Sequence, residues 1–244
     1  MKDTPFKVIQ NENLTDSVFR MTISGDTSEI TAPGQFVNLR LSGLYLRRPI
    51  SVCDLEGERL TLIYKVVGKG TEKMSELRPG ETLMVLTGLG NGYSTEKSGA
   101  HPLLIGGGVG VPPLFLLAKR LKVSGAEPSV ILGFNTASEV FLENDFAALD
   151  IKTFVTTVDG SYGIKGFVTA AMDMAGDYTS TFSCGPEPML KAVYAASKTD
   201  GQYSFEERMG CGFGACMGCT CETKYGHKRI CKDGPVLEKG EIKW

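Results

Sequence analysis

The sequence predicts a multidomain β and α/β protein in three successive parts, and three observations support this prediction. Short apolar runs separated by Gly, Pro or Asp extend from Phe6 to about Gly92, which is typical of an all-β domain. Strand-like and helix-like runs then alternate as far as Ser197, which is typical of a parallel α/β domain. Five of the seven cysteines lie in the last part. We place the three parts at residues 1–95, 96–201 and 202–244.

The first part is predicted to form a small β-barrel rather than a sandwich. Its strands are expected over residues 7–10, 18–23, 35–41, 48–54, 59–67 and 81–86. Many of these runs are rich in Val, Ile, Leu and Tyr, which suit the half-buried surface of a sheet. A single short helix is expected over residues 71–77.

The second part is predicted to be a Rossmann-like α/β domain. Strands are expected over residues 101–105, 129–134, 152–157 and 179–184, and helices over residues 111–123, 143–149, 166–174 and 188–197. Strands that alternate with helices pair in parallel through right-handed crossovers. A sheet of this kind is typical of nucleotide-binding domains.

The third part contains the cysteine spacing of a plant-type two-iron two-sulfur site. Cys211, Cys216 and Cys219 follow the pattern C-x4-C-x2-C, and Cys231 is available as the distant fourth ligand. Glycines alternate with these cysteines, as a loop wrapped around a bulky anionic cluster requires. Because so short a segment has no hydrophobic core of its own, we expect the cluster to be its main organiser.

Other uses of the cysteines remain open at this point. A structural zinc usually takes two C-x2-C pairs of similar length, which this spacing does not provide. A disulfide framework is disfavoured because the number of cysteines is odd and no signal-like apolar stretch opens the sequence. Cys221 could replace Cys219 only by changing the C-x2-C spacing, so we leave it out of the ligand set.

The composition argues against several classes of protein. The 26 Lys and Arg residues and the 28 Asp and Glu residues nearly balance, which favours neither nucleic acid nor an anionic membrane surface. No apolar run approaches the length of a transmembrane helix. The histidines, His101 and His227, are isolated from any nucleophile or carboxylate pair, so we predict no hydrolase site and assign no catalytic side chain. We expect a soluble, cytoplasmic protein with reduced thiols.

Two motifs of the predicted barrel could bind a phosphate-containing ligand. The first places a guanidinium, a strand-edge proline and a hydroxyl together, in Arg48, Pro49, Ile50 and Ser51. The second is a strand and glycine turn that lead into a helix, and it contains Ile63, Tyr64, Lys65, Gly70 and Thr71. An arginine fork suits a pyrophosphate, and a helix N-terminus can hold a phosphate. Taken alone, the first could be an edge strand with solvated arginines and the second a simple strand-turn-helix, but their joint occurrence favours a ligand.

The predicted α/β domain contains two further motifs. A strand, a glycine turn and a helix opened by prolines leave room for a pyrophosphate at Gly106, Gly107, Gly108, Val109 and Gly110. Near the end of the last strand, at the edge where open α/β sheets bind ligands, come Cys184, Gly185 and Pro186. The alternatives are a tight turn without a ligand and a buried core thiol.

The predicted dinucleotide is NADH rather than NADPH. Residues 133–138, which follow the second predicted strand of this domain, contain no Arg or Lys to pair with a 2′-phosphate, and the nearest acid is Glu139.

In their order along the chain, these motifs resemble those of the ferredoxin–NADP reductase superfamily. With the cysteine segment and the following Asp233, Gly234 and Pro235, nearly the whole chain resembles the electron-transfer subunits of type B dihydroorotate dehydrogenases. The resemblance implies FAD on the barrel, NADH on the second domain, and the cluster between FAD and a separate FMN-containing catalytic subunit, with two copies of each chain. FAD would be held by the two barrel motifs, NADH by the two α/β motifs and iron by the four cysteines.

Redox chemistry explains this order of cofactors. NADH gives up two electrons as a hydride, whereas a two-iron cluster accepts one electron at a time, so a flavin that can do both must lie between them. A relative that exchanges electrons with a ferredoxin or a sulfur compound would share the cofactors and differ in its partner. A non-catalytic iron-sulfur sensor would not need both nucleotide-binding regions. Apolar side chains in the cysteine segment, at Met209, Phe213 and Met217, are expected to form a docking surface or to pack against the flavin domain.

Overall fold

The computed structural model describes all 244 residues, and it confirms the predicted fold class. Six antiparallel strands close into a barrel in the order β1-β2-β5-β4-β3-β6, and helix α1 follows β5. These elements are β1 (Lys2–Asn13), β2 (Val18–Ser24), β3 (Phe36–Arg40), β4 (Arg48–Glu56), β5 (Arg59–Lys65), α1 (Lys69–Ser75) and β6 (Thr82–Leu89). The barrel prediction is therefore correct, and the sandwich alternative is not.

Strand β1 is much longer than the four residues predicted for it. Its first half pairs with β6 and its second half with β2, and the register shifts between Val8 and Gln10. Only Phe6 and Val8 of this strand are buried. The remaining residues are mostly polar or exposed, so their strand character comes from pairing with neighbours that are distant in sequence.

The rest of the chain forms a seven-stranded sheet, a two-stranded hairpin and the helices that cover the sheet. The strands are β7 (Pro102–Gly107), β8 (Ser129–Phe134), β9 (Lys152–Thr157), β10 (Ile164–Lys165), β11 (Ser180–Cys184), β12 (Gly201–Ser204), β13 (Thr220–Thr223), β14 (Gly226–Arg229) and β15 (Val236–Glu238). The helices are α2 (Pro113–Val123), α3 (Glu143–Ala148), α4 (Glu187–Ala196) and α5 (Ile230–Asp233). The structure confirms the parallel α/β architecture.

The sheet has the order β10-β9-β8-β7-β11-β12-β15, and only the β12–β15 pair is antiparallel. Alternate residues of its central strands are buried on opposite faces: Leu104 packs with α2, whereas Leu103 and Ile105 pack with α4. Burial on both faces explains the continuous apolar runs of these strands. The helix predicted over residues 166–174 is instead a run of 3₁₀ turns at Val168–Ala175.

The C-terminal segment is anchored by apolar contacts, which corrects the expectation that a cluster is its main organiser. Strands β12 and β15 extend the α/β sheet, and Tyr203, Ile230 and Leu237 are buried in the same apolar cluster as Ile105 of β7. The segment therefore shares the core of the preceding domain. None of the helices has the length and the hydropathy that crossing a membrane requires.

Four ion pairs join the barrel to the α/β domain. Arg20 of β2 lies 2.7 Å from Asp145 of α3. Lys119 of α2 contacts both Asp54 and Glu56 of β4, at 2.8 and 2.9 Å. The fourth pair, Lys65 of β5 with Glu139 at 3.8 Å, borders the cleft between the two domains.

Candidate functional site

The cysteine loop, residues 210–219, directs backbone N–H groups at the sulfur of Cys211. Ala215 donates to it at 3.3 Å, and Phe213 and Cys216 donate at 3.5 Å. Burial alone would raise the pKa of Cys211, but N–H donation from Cys216, Phe213 and Ala215 outweighs it and lowers the pKa to about 6. The loop therefore stabilises a thiolate at this position.

The same pattern continues at the two buried cysteines. The N–H of Gly214 donates to the sulfur of Cys231 at 3.1 Å, and the N–H of Cys231 donates to the sulfur of Cys219 at 3.3 Å. Burial, followed by the neighbouring Cys219 side chain, raises the pKa of Cys231 to about 12. The Cys231 side chain is therefore a neutral thiol by itself, and a bound cation would favour its thiolate form.

The four thiols approach one another as two pairs, Cys211 with Cys216 and Cys219 with Cys231. No three His, Cys, Asp or Glu side chains of the structure converge closely enough to hold a single metal ion. Four cysteine side chains in two pairs, with N–H groups directed at the sulfurs, suit a two-iron two-sulfur cluster better than one zinc ion. The residues present therefore fit the predicted cluster.

Arg229 and Asp233 support this arrangement, and sequence reasoning missed the arginine. The Asp233 carboxylate accepts the backbone N–H and the Nε–H of Arg229, both at 2.9 Å, and the Nη1 group of Arg229 donates to the carbonyl of Gly214 at 3.1 Å. The Arg229 side chain and N–H lower the pKa of Asp233. The pair thus closes α5, which contains Cys231, and holds it against the cysteine loop. The i, i+4 spacing of Arg229 and Asp233 is the sequence pattern that could have indicated this pair.

Asn91, at the end of the barrel, fixes the chain that follows Cys231. Its backbone N–H donates to Gly234, its side-chain Nδ2 donates to Val236 at 2.7 Å, and Val236 donates back to its Oδ1 at 3.1 Å. A Cβ at Gly90, whose φ is +73°, would lie 2.6 Å from Pro235. The turn after the fourth cysteine is therefore packed tightly on the barrel.

The two adjacent arginines of the barrel motif have different environments. Arg47 makes two hydrogen bonds to the Asp3 carboxylate, at 2.6 and 2.8 Å. Arg48 donates hydrogen bonds only through Nη1, to the carbonyls of Leu46 and Arg47. Its Nε and Nη2 make no hydrogen bond within the protein. Its side chain lies across Gly70, where a Cβ would come within 1.8 Å of Nε. An arginine with unused donors beside a helix start fits a pyrophosphate.

The other barrel residues surround this arginine in different ways. Pro49 and Ser51 face the same side of the β3–β4 pair as Asn38 and Phe36, and Ile50 packs against the barrel core. Thr71 accepts the N–H groups of Val67 and Gly68 and so closes the turn before α1.

Ile63 and Tyr64 are both buried, so they would meet a ligand through their main chain. The Tyr64 hydroxyl donates to Asn11 at 3.0 Å.

A cavity of about 550 Å³ brings the two α/β motifs together at the carboxyl edge of the sheet. Its lining includes Gly107, Gly108, Val109, Gly110, Gly185, Pro186 and, from the barrel, Lys65. A Cβ at Gly110 would lie 2.3 Å from the Cys184 carbonyl, so only glycine permits this approach. Thr156 also lines the cavity, and its buried Oγ1 has no partner. An unpaired polar atom in a glycine-lined cleft between two domains fits a dinucleotide.

The cavity differs in three ways from the site that the sequence predicted. Gly106 lies within β7 and packs against Val111 instead of lining the cavity. Burial raises the pKa of Cys184 to about 12, so it is a neutral thiol, and its neighbours Gly185 and Pro186 face the cavity. The sequence analysis did not assign Phe134, Val158, Phe167 and Glu206 to the cavity, because they come together from the end of β8 and from three separate loops.

Glu139 accepts the N–H and Nδ2–H groups of Asn135, at 3.1 and 2.8 Å, and pairs with Lys65. We expect NADH to reduce the bound flavin at least tenfold faster than NADPH, because the segment that follows β8 contains the Glu139 carboxylate and no Arg or Lys to pair with a 2′-phosphate. Tenfold corresponds to about 1.4 kcal/mol. Stopped-flow absorbance of the flavin measures the two reduction rates. Asn135→Arg is expected to lower the ratio of the NADH rate to the NADPH rate. Equal rates with both nucleotides would refute this prediction.

Comparisons with known proteins agree with this site. The family model for the iron-sulfur cluster binding domain of dihydroorotate dehydrogenase B matches residues 206–243. The chain is 42% identical to the electron transfer subunit of dihydroorotate dehydrogenase B (NAD(+)) of Geobacillus sp. (strain WCH70), with 99% of both chains covered. Identity to the same subunit of Bacillus pumilus (strain SAFR-032) is also 42%, over 99% of this chain and 98% of that one.

Solved structures show the same fold. An NADH-dependent reduced ferredoxin-NADP oxidoreductase is 30% identical, with a TM-score of 0.88 over 98% of this chain and 89% of that chain. A ferredoxin NADP+ reductase from Neisseria gonorrhoeae is 18% identical, with a TM-score of 0.70 over 80% of this chain and 90% of that chain, and it supports the fold alone. Given the full-length identity to its relatives, the chain belongs to the family of electron transfer subunits of NAD-dependent dihydroorotate dehydrogenase B.

Proposed function

We propose that this chain passes electrons between NADH and the FMN of a separate dihydroorotate dehydrogenase catalytic subunit, in pyrimidine biosynthesis. FAD and a two-iron two-sulfur cluster would be its resident cofactors. One observation carries the proposal: N–H groups directed at paired thiols lie in the same chain as a reductase-type barrel and a dinucleotide cavity. The relatives' names, electron transfer subunit and NAD(+)-dependent dehydrogenase, support it.

Each group of residues has a distinct role in this proposal. Arg48 and the turn at Gly70 and Thr71 bind the FAD pyrophosphate, while Pro49, Ile50, Ser51, Ile63, Tyr64 and Lys65 form the surrounding wall. The glycine turn after β7 and residues 184–186 bind NADH. Cys211, Cys216, Cys219 and Cys231 bind iron. When bound, the flavin supplies the conversion of a two-electron hydride into single electrons. We propose the functional division 1–95, 96–201 and 202–244.

We propose a cytoplasmic location, because all seven cysteines are free thiols and the iron ligands must stay reduced. A second candidate function is electron exchange with a ferredoxin, since the solved NADH-dependent reduced ferredoxin-NADP oxidoreductase matches 98% of this chain. The full-length identity of 42% to the dihydroorotate dehydrogenase subunits favours the first.

The test compares the chain alone with the chain joined to a dihydroorotate dehydrogenase catalytic subunit. Alone, it should contain one FAD and one two-iron cluster, oxidise NADH with artificial acceptors, and fail to oxidise dihydroorotate. Together, the two chains should link dihydroorotate oxidation to NAD reduction, and we expect two copies of each by light scattering. Zinc in place of iron, tightly bound FMN in this chain, or dihydroorotate oxidation by the chain alone would contradict the proposal.

The cysteine loop exposes two apolar side chains suited to a partner. Phe213 is 45% exposed and Met217 is 54% exposed, next to the exposed Cys216. Met209 packs against buried residues of the C-terminal core, so it is not part of this surface. Apolar groups around a redox centre exclude water and let a partner's cofactor come close. We propose that electrons leave here.

Charged substitutions at Phe213 and Met217 are therefore expected to weaken assembly. Phe213→Asp or Met217→Asp should raise the dissociation constant for the catalytic subunit at least tenfold, while flavin reduction by NADH stays at the parent rate. Sedimentation and stopped-flow absorbance measure the two effects. Val123→Asp is the matched control, because Val123 is 90% exposed at the end of α2. If these variants bind the catalytic subunit as tightly as the parent does, electrons leave the chain at another surface.

A further inference from the structure

Asn38, a barrel residue with no role so far, makes the one hydrogen bond that joins the barrel to the cysteine loop. Its side chain is 1% exposed. Its Nδ2 donates to the backbone carbonyl of Cys211 at 3.2 Å. Cys211 is the residue whose sulfur receives three N–H groups of the loop. The position of this cysteine therefore depends on a side chain of β3.

Backbone packing at Gly212 reinforces the contact. Gly212 has a φ of +81°, and a Cβ there would lie 2.3 Å from Nδ2 of Asn38 and 3.8 Å from the ring of Phe36. The loop is thus pressed directly on the outward-facing residues of β3. In the same strand pair, Asn38 lies opposite Pro49, which adjoins Arg48 of the flavin motif.

Stability does not explain an asparagine at this position. Its Oδ1 is buried and has no hydrogen-bond partner, and a buried acceptor without a partner is destabilising. An apolar side chain of similar volume would avoid this cost. What an apolar side chain cannot provide is the donor that reaches Cys211.

We propose that Asn38 is a positioning residue that fixes Cys211, and with it the iron-sulfur cluster, at a set distance and orientation from the flavin on the barrel. The proposal rests on the function proposed above, since it concerns the transfer of one electron from the reduced flavin to the oxidised cluster. Placement errors of less than 1 Å impair functional sites. One buried hydrogen bond between the two cofactor-binding elements limits such errors.

The test uses Asn38→Leu and Asn38→Asp in the full chain loaded with FAD and cluster. Asn38→Leu removes the unpaired acceptor, which offsets the loss of the donor to the Cys211 carbonyl, so it should melt near the parent temperature and keep its iron and FAD. It should nevertheless slow flavin-to-cluster electron transfer at least tenfold and change the EPR spectrum of the reduced cluster. Asn38→Asp keeps the shape, and its carboxylate has no donor once it is ionised, so at alkaline pH we expect the same slower transfer and altered spectrum.

Thr4→Val is the matched control, because Thr4 Oγ1 is another buried acceptor of the barrel without a partner. It should keep the parent transfer rate and EPR spectrum. A parent rate and spectrum in both Asn38 variants would overturn the proposal, and so would loss of stability and iron together with the rate, since that would assign Asn38 a structural role. A parent chain without iron would refute the proposed function itself, so the two failures are distinguishable.

Discussion

Replacement of any one of Cys211, Cys216, Cys219 or Cys231 by serine is expected to abolish the iron-sulfur cluster. A hydroxyl is a poor substitute for a thiolate toward iron, and the loop's N–H groups are arranged to receive sulfur. Iron and labile sulfide should fall to background, and the EPR signal of the reduced cluster should disappear. FAD content should stay near the parent value, because Arg48 and its surroundings lie on the barrel.

The extent of structural damage in these variants follows from how the segment is anchored. Because β12 and β15 pair with each other and share the core of the α/β domain, their amides should stay protected from hydrogen exchange. Amides of residues 213–216 should exchange faster, since the sulfurs that accept their hydrogen bonds would no longer be held by metal.

Cys221→Ser is the matched control for the cysteine series. Cys221 lies in β13 opposite Lys228, and the backbone N–H groups that donate to the sulfurs of Cys211, Cys219 and Cys231 are not directed at it. It should therefore retain full iron and sulfide. Normal cluster content in Cys219→Ser, or its loss in Cys221→Ser, would show that the wrong thiol was assigned.

The sequence predicted most of the fold because the main strands and helices are locally encoded. Strands β8 and β9 were predicted to the residue, since β8 is an apolar run and β9 is rich in β-branched residues, and turn residues follow both. Strands β12 and β15 were not predicted. They are four and three residues long, and their strand character comes from pairing: β12 lies between β11 and β15, and β15 forms the edge of the sheet.

The residues of the candidate site likewise divide into those that a local sequence pattern indicates and those that only long-range contacts reveal. The cysteine spacing and the glycine turn are local patterns, so the sequence alone pointed to them. Asn38 and Asn91 act on residues more than 140 positions away, and no local pattern indicates such contacts. The sequence also could not show that Arg47 is paired while Arg48 keeps unused donors, because the partner of Arg47 is Asp3 at the start of the chain.

Arg48→Ala is expected to release most of the FAD from the purified chain. The substitution removes charge-assisted hydrogen bonds to the pyrophosphate, and about 1.5 to 3 kcal/mol for such a contact corresponds to a roughly 10- to 100-fold higher dissociation constant. Fluorescence titration of the apoprotein with FAD measures the change. Arg48→Lys should recover part of the affinity, because an ammonium keeps the charge but lacks the planar fork.

Arg47→Ala is the control that separates FAD binding by Arg48 from a general effect of losing a positive charge near the start of β4. Arg47 and Arg48 are adjacent, but the Arg47 guanidinium already forms two hydrogen bonds to Asp3, which lower the pKa of that carboxyl. Its loss should cost some stability, since Asp3 loses its partner, while FAD affinity stays within about twofold of the parent. Full FAD content in Arg48→Ala, or a larger loss of FAD in Arg47→Ala, would mean that the phosphate is held by other residues.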